Sequence, residues 1–181
     1  MIGLKNKSGF TLLELLIAIS IFAILTSLIG ISYRSNEELR QLKNQAQSIV
    51  DGLQKAQNMS LAGESVLVNG NPTVPNYYRF SLIKDNNVKC HYLITAFAAD
   101  GSALKEIARV NFEKLLINVT ASAPLNADFY PPRGKMALSL GGAPSQTEYK
   151  LQLKNPSISD IFCVTVNSIS GRMDIAAGQC Q

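Results

Sequence analysis

The stretch that decides the fold is "KNKSGFTLLELLIAISIFAILTSLIGISYRS", Lys5 to Ser35. From Phe10 to Tyr33 its residues are uncharged, with one exception: Glu14, four residues after Phe10. The 23 residues from Phe10 to Ser32 would span roughly 35 Å as a helix, against ~30 Å for the hydrocarbon core of a bilayer. Lys5 and Lys7 precede the run as they would in a secretory leader, but the run is too long for a usual signal h-region. It also lacks a small-residue cleavage site at its far end, and its natural break lies before it, at Ser8-Gly9-Phe10. The run therefore reads as an anchor that stays. Its basic flank puts the N-terminus in the cytoplasm and everything after Tyr33 across the membrane.

The helical rhythm continues past that edge. Leu39, Leu42, Ala46, Ile49, Leu53 and Ala56 recur in alternating steps of three and four, while Glu37, Glu38, Arg40, Lys43, Asp51 and Lys55 take other faces. No proline intervenes from Phe10 to Leu61, and Gly63 is a natural stop. The pattern predicts one helix of about 50 residues, near 75 Å long, with Gly30 and Gly52 as soft points. Its second half needs a partner for its apolar stripe.

From Glu64 onward the period changes to two. The alternation predicts strands at 65–68, 77–83, 88–97, 104–112, 115–120, 136–140, 148–153, 161–167 and 172–175, separated by turn-forming "NGNP", "KDNN", "AADGS", "PPRG", "GGAPS" and "SISG". The expected fold class is α+β, a long helix packed on an antiparallel sheet domain. The boundaries are 1–9 for a leader, 10–33 for the membrane half of the helix, 34–62 for its amphipathic half and 63–181 for the sheet domain. Expected core residues include Tyr78, Phe80, Leu82, Leu93, Phe97, Val110, Phe112, Leu116, Phe129, Leu151, Phe162, Val164 and Val166.

A carboxylate near the membrane interior costs about 2.5 to 3.5 kcal/mol on insertion scales. One reading of Glu14 is an interfacial acid, one turn from the helix start and within reach of headgroups. The other supplies a cation: cleavage after Gly9 exposes a new α-ammonium on Phe10, which Glu14 of a neighbouring copy could neutralise inside an apolar bundle, setting the axial register between them.

The formal net charge is +4 for 181 residues, of which Lys5 and Lys7 supply two, too mild to argue for nucleic acid by itself. Three cysteines are present, Cys90, Cys163 and Cys180. Outside the cytoplasm the simplest count is one disulfide and one thiol, with three pairings open. Cys163 with Cys180 is favoured because a hairpin between them could bring the chain end back over its own strand, and three buried thiols are the alternative. Cys90 and His91 are adjacent on an expected strand and face opposite ways, so they cannot readily share a metal. No phosphate loop, nucleophile triad or carboxylate pair stands out, so catalytic residues, metal and cofactor are all expected to be none.

"KNKSGFTLLELLIAISIFAIL" resembles the class III leader of type IV pilins and type II secretion pseudopilins: a short basic leader, glycine at the cut, Phe10 as first mature residue and Glu14 fifth after the cut. The resemblance implies that a prepilin peptidase cleaves between Gly9 and Phe10 and N-methylates Phe10, and that Glu14 guides assembly with other pilin or pseudopilin subunits. The subunit would wait in inner-membrane lipid as a single-pass protein, its C-terminal domain outside the cytoplasm, and then join a surface pilus or a periplasmic pseudopilus. Major type IV pilins often carry a proline in the lower helix where this chain has Gly30-Ile31-Ser32.

"FYPPRGKMAL", 129–138, and "CVTVNSISGRMDI", 163–175, are similar to the two weaker signatures of FimT/GspH-like minor pilins and minor pseudopilins. Gly134 and Gly171 fit turn positions needing positive φ. Some FimT-like members bind DNA for uptake through a Gly-Arg-x-Arg motif. Here Gly171-Arg172-Met173-Asp174 supplies only the first arginine and puts an acid where phosphate contact needs a base. The expectation is a minor pilin or pseudopilin, with a DNA-binding minor pilin as the alternative.

Overall fold

The computed structural model describes residues 11–85, 89–117, 124–140 and 147–180, with the side chains of 27–35 left out. Among the described residues, one helix, α1 (Leu12–Ala62), is followed by eleven strands: β1 (Val66–Val68), β2 (Asn71–Thr73), β3 (Tyr77–Lys84), β4 (Lys89–Phe97), β5 (Ala103–Glu113), β6 (Leu116–Ile117), β7 (Leu125–Tyr130), β8 (Lys135–Leu140), β9 (Glu148–Lys154), β10 (Ile161–Asn167) and β11 (Met173–Ala177). The chain resolves into two units, Met1–Glu37 and Glu38–Gln181. In the first, the described residues are helical from Leu12 onward.

The second unit is an α+β domain whose strand pairings are all antiparallel. Three sheets run β1-β2, β11-β10-β9-β6 and β5-β4-β3-β7-β8. The three-and-four rhythm places Leu42, Ala46, Ile49, Leu53 and Ala56 on one face of α1, all wholly buried. They share a core with Tyr78, Phe80 and Ile94 of the five-stranded sheet and with Leu151, Val164 and Val166 of the four-stranded one. Apolar burial of this kind contributes about 1.5–3 kcal/mol per large side chain.

The helix stops in a Schellman motif: Gly63, at φ 59°, donates to the Ser60 carbonyl at 3.2 Å and Glu64 to that of Met59 at 3.1 Å. The Tyr78 hydroxyl donates to the Glu64 carbonyl, and burial, followed by the charge of Glu64, raises the Tyr78 pKa. Gly52 is a point of close approach rather than a soft point. A Cβ there would stand 2.9 Å from Tyr92 Cζ and 3.0 Å from Phe80 Cε2, so the missing side chain lets α1 lie down on β3 and β4.

Four further sequence expectations differ from the structure. Residues 71–73, read as part of a turn, form β2, and only Asn69 and Gly70, at φ 50° and 84°, make the turn. Residues 125–130 were not expected as a strand, yet they form β7, with Leu125, Ala127 and Phe129 buried. The low strand propensity of Asn126, Ala127 and Asp128 conceals that alternation. In β4 both parities are apolar, and pairing decides between them: Phe80 opposes Ile94 and Leu82 opposes Tyr92. Cys90, Tyr92, Ile94 and Ala96 are therefore buried, whereas Leu93 and Phe97 face outward and are half-buried. Near β6 the buried pair is Leu115 and Ile117, with Leu116 between them half-buried.

Candidate functional site

Gly9 and Phe10 lie outside the described residues. The described site begins at Thr11, the N-cap of α1, whose carbonyl accepts from Leu15 N at 3.2 Å. Thr11-Leu12-Leu13-Glu14 is a capping box: Glu14 N donates to Thr11 Oγ1 at 3.3 Å, and Thr11 N donates to Glu14 Oε2 at 3.5 Å. The carboxylate also sits at the positive end of the helix dipole. An acid in an apolar helix thus has a local reason to be there, satisfying backbone donors that lipid would leave unpaired. Thr11 escaped the sequence reading, although Thr-x-x-Glu ahead of an apolar run is its signal.

Beyond it, Leu12, Leu13, Leu15, Leu16, Ile17, Ile19, Ile21, Phe22, Ile24 and Leu25 are each more than half exposed. These positions cover every face of the helix, and a helix apolar all round requires apolar surroundings. Two hydroxyls in the described part of the run are satisfied by the helix itself: Ser20 Oγ donates to the Leu16 carbonyl at 2.8 Å, and Thr26 Oγ1 to those of Phe22 at 2.8 Å and Ala23 at 3.1 Å. Among the described residues, no helix is long and apolar enough to cross a membrane; the expected span 10–33 includes Phe10 and the undescribed side chains of 27–33.

Two basic residues at the four-stranded sheet stand beside acids. Arg172 Nε meets Asp174 Oδ2 at 2.6 Å, and Lys150 Nζ meets Glu148 Oε1 at 3.8 Å. Lys150 and Asp174 flank Thr165 from the two neighbouring strands. Arg172 therefore carries its own counter-charge.

Cys163 and Cys180 form a disulfide with Cα atoms 5.2 Å apart. Cys90 is a buried thiol, which burial, aided by the charge of Asp85, pushes up to about 12. His91 lies on the opposite face of β4, its Nδ1 2.9 Å from Asp85 Oδ2.

A second constellation was invisible in the sequence. Across β3 and β7, Arg79 donates through Nε and Nη2 to the two carboxylate oxygens of Asp128, at 2.6 and 2.8 Å. Its guanidinium lies 5.4 Å from the Tyr77 ring centre and 5.0 Å from that of Phe97, two rings stacked at 4.9 Å. The Asp128 hydrogen bonds raise the Arg79 pKa further against the cost of burial. The group clamps the outer face of the five-stranded sheet.

Residues 4–30 match the family model described as the prokaryotic N-terminal methylation motif. The matched segment holds the Gly9-Phe10 junction, Thr11 and Glu14, and it supports a type IV pilin-like protein that a prepilin peptidase processes and that assembles with other pilins. No curated protein and no solved structure matches the chain.

Proposed function

We propose that the chain is the precursor of a minor pilin or minor pseudopilin, cleaved between Gly9 and Phe10, N-methylated on Phe10 and built into or onto the tip of a filament. The observation that carries the reading is the methylation motif over 4–30 running into a helix whose large apolar side chains are exposed on every face. Such a surface is stable in two settings, lipid or a bundle of similar helices. Moving from the first to the second is assembly.

Glu14 makes that exchange directional. In the stored subunit the capping box offsets part of the cost of an acid in lipid. The Thr11 N to Glu14 contact is long, at 3.5 Å, so the carboxylate can turn to a stronger partner. The α-ammonium of Phe10 on an adjacent subunit is such a partner, and a charge pair in an apolar bundle defines one axial register. The segment 10–33 would be the membrane anchor, and the sheet domain the part presented outside the cytoplasm. The Arg172–Asp174 pair gives the filament reading preference over a DNA-binding one.

Glu14→Ala should leave membrane insertion unchanged while incorporation into sheared filaments falls by tenfold or more, the equivalent of about 1.4 kcal/mol. Gly9→Val should block leader removal. Normal incorporation of Glu14→Ala removes the register role, and a wild-type mature protein that begins at Met1 removes the function.

A further inference from the structure

Three connections of the sheet domain, β3 to β4, β5 to β6 and β9 to β10, gather at one end. Gln45, about two turns past Glu38, donates through Nε2 to the Glu113 carbonyl at 3.1 Å, which sets the end of β5 beside the start of this unit's helix. Glu113 pairs with Lys89 across β5 and β4, and Asp85 N donates to the Lys89 carbonyl at 3.0 Å. Leu116, Lys154 and Ile161 form one row across β6, β9 and β10, and Ile161 shares a recess with Leu39. This is the end at which the chain enters the unit. The far end holds Gly134 against Leu61 and Gly171 against Gln57.

Some cations of the entry end are already matched: Lys89 meets Glu113 at 3.5 Å, and His91 meets Asp85 at 2.9 Å. Lys84 and Lys154, both exposed, have no acid within ion-pairing distance among the described residues. They line one recess of about 400 Å³ together with Leu116, Ile117, Gln152 and Ile161, and no described acid lines it. Asp160 belongs to the separate recess beside Leu39. Lys84 comes from the five-stranded sheet and Lys154 from the four-stranded one, so two ammonium groups reach one apolar-floored recess from different sheets. That combination fits an anion with carbon attached to it: the ammoniums act as point charges for a phosphodiester, and the aliphatic side chains cover the carbons next to it.

The chain narrows which anion is within reach. Leu39 lies six residues past Tyr33, the end of the proposed anchor, and six residues reach at most ~20 Å however they run, or about 9 Å as helix. The entry end is thereby tethered near the headgroups, where anionic lipid attracts lysines over roughly 10 Å. We infer that in the stored precursor Lys84 and Lys154 hold the headgroup of an anionic phospholipid of the membrane that anchors the chain. Its phosphodiester lies between the two ammonium groups and its carbons against Leu116, Ile117 and Ile161. This rests on the membrane-stored precursor of the proposed function and gives it a second attachment, electrostatic where the first is apolar. Entry into a filament leaves the lipid behind and frees the recess.

The test reconstitutes the full-length chain in nanodiscs of phosphatidylcholine, with or without added phosphatidylglycerol, and follows acetylation of each lysine by mass spectrometry. Phosphatidylglycerol should slow Lys84 and Lys154 by about fivefold or more, while Lys135, exposed at the far end, should change by less than about twofold. Because the two lysines share one headgroup, Lys84→Gln should return Lys154 toward its rate in neutral discs, and Lys84→Arg should leave it slow. Equal slowing at Lys84, Lys154 and Lys135, no slowing, or a Lys154 rate indifferent to Lys84→Gln overturns the site. Slowing of the same size by inorganic phosphate in neutral discs shows a site for soluble anions and overturns the lipid assignment. Leader cleavage and recovery in sheared filaments are scored for the same chain in cells. Filaments from a chain whose lysines are not slowed sink the contact and leave the filament function standing. Slowed lysines on a chain that keeps its leader and enters no filament support the contact and remove that function.

Discussion

Alanine in place of glycine within a helix normally stabilises by about 1 kcal/mol. At Gly52 the sign should reverse. The new Cβ would stand 2.9 Å from Tyr92 Cζ and 3.0 Å from both Tyr92 Cε2 and Phe80 Cε2, where carbon atoms ordinarily rest ~3.5–4.0 Å apart. Helix and sheet must part by roughly 0.5 Å, and the rings have little room to yield. Phe80 is wholly buried, and Tyr92 is wedged between Phe80 and Phe112, with ring centres 5.0 and 5.9 Å away. Overpacking of this kind costs about 1–3 kcal/mol. Against the propensity gain the net loss is about 1 kcal/mol, a fall in Tm of about 2–4 °C for a domain of this size. Thermal unfolding of the detergent-solubilised chain, followed by circular dichroism, measures it, with the exposed Asn44→Ala as a control that should gain a few tenths of a kcal/mol. A double-mutant cycle with Tyr92→Leu should show a coupling of at least ~0.5 kcal/mol. If Gly52→Ala matches or exceeds the wild-type Tm, the close approach of helix to sheet is not what glycine provides there.

Arg79→Leu should destabilise by about 3 kcal/mol, because it strands the buried carboxylate of Asp128, and Asp128→Leu in the same chain should recover most of the loss; urea unfolding that shows additive losses would contradict the clamp. Cys90 should resist a maleimide at pH 8 until the protein unfolds, and rapid labelling of the native chain would show the thiol to be accessible. The Cys90 thiol also links stability to pH. Below its ordinary value of 9.0 it is protonated in both states and contributes nothing, whereas between 9.0 and about 12 only the unfolded chain releases the proton. Stability should therefore fall as pH rises through that window, by roughly 1.4 kcal/mol per unit. The difference in alkaline slope between wild type and Cys90→Ala isolates the effect, and equal slopes would refute it.

The sequence by itself determined what depends on neighbours along the chain. The apolar run with its single acid, the three-and-four rhythm from Leu39 to Ala56 and the stop at Gly63 can all be read because a helix pairs residue i with i+3 and i+4, so its faces and caps are written locally. Thr11-x-x-Glu14 belongs to that class and was open to reading as a cap. Most strands were also legible, since alternation is local too. What only the tertiary structure decided is which parity faces inward and which distant residues meet. Leu93 and Ile94 are equally apolar, and the choice between them came from the register of β4 on β3. Arg79 and Asp128 stand 49 residues apart and meet because β3 pairs with β7. Gly52 looks like a flexible point in sequence, and Gly134 and Gly171 like turn residues, which their positive φ values of 59° and 67° match; only the fold shows that a Cβ on each would also collide with Tyr92, Leu61 and Gln57 respectively. Such contacts are set by sheet register and helix docking, which depend on side-chain volumes far apart in the chain and so leave no periodic trace in it.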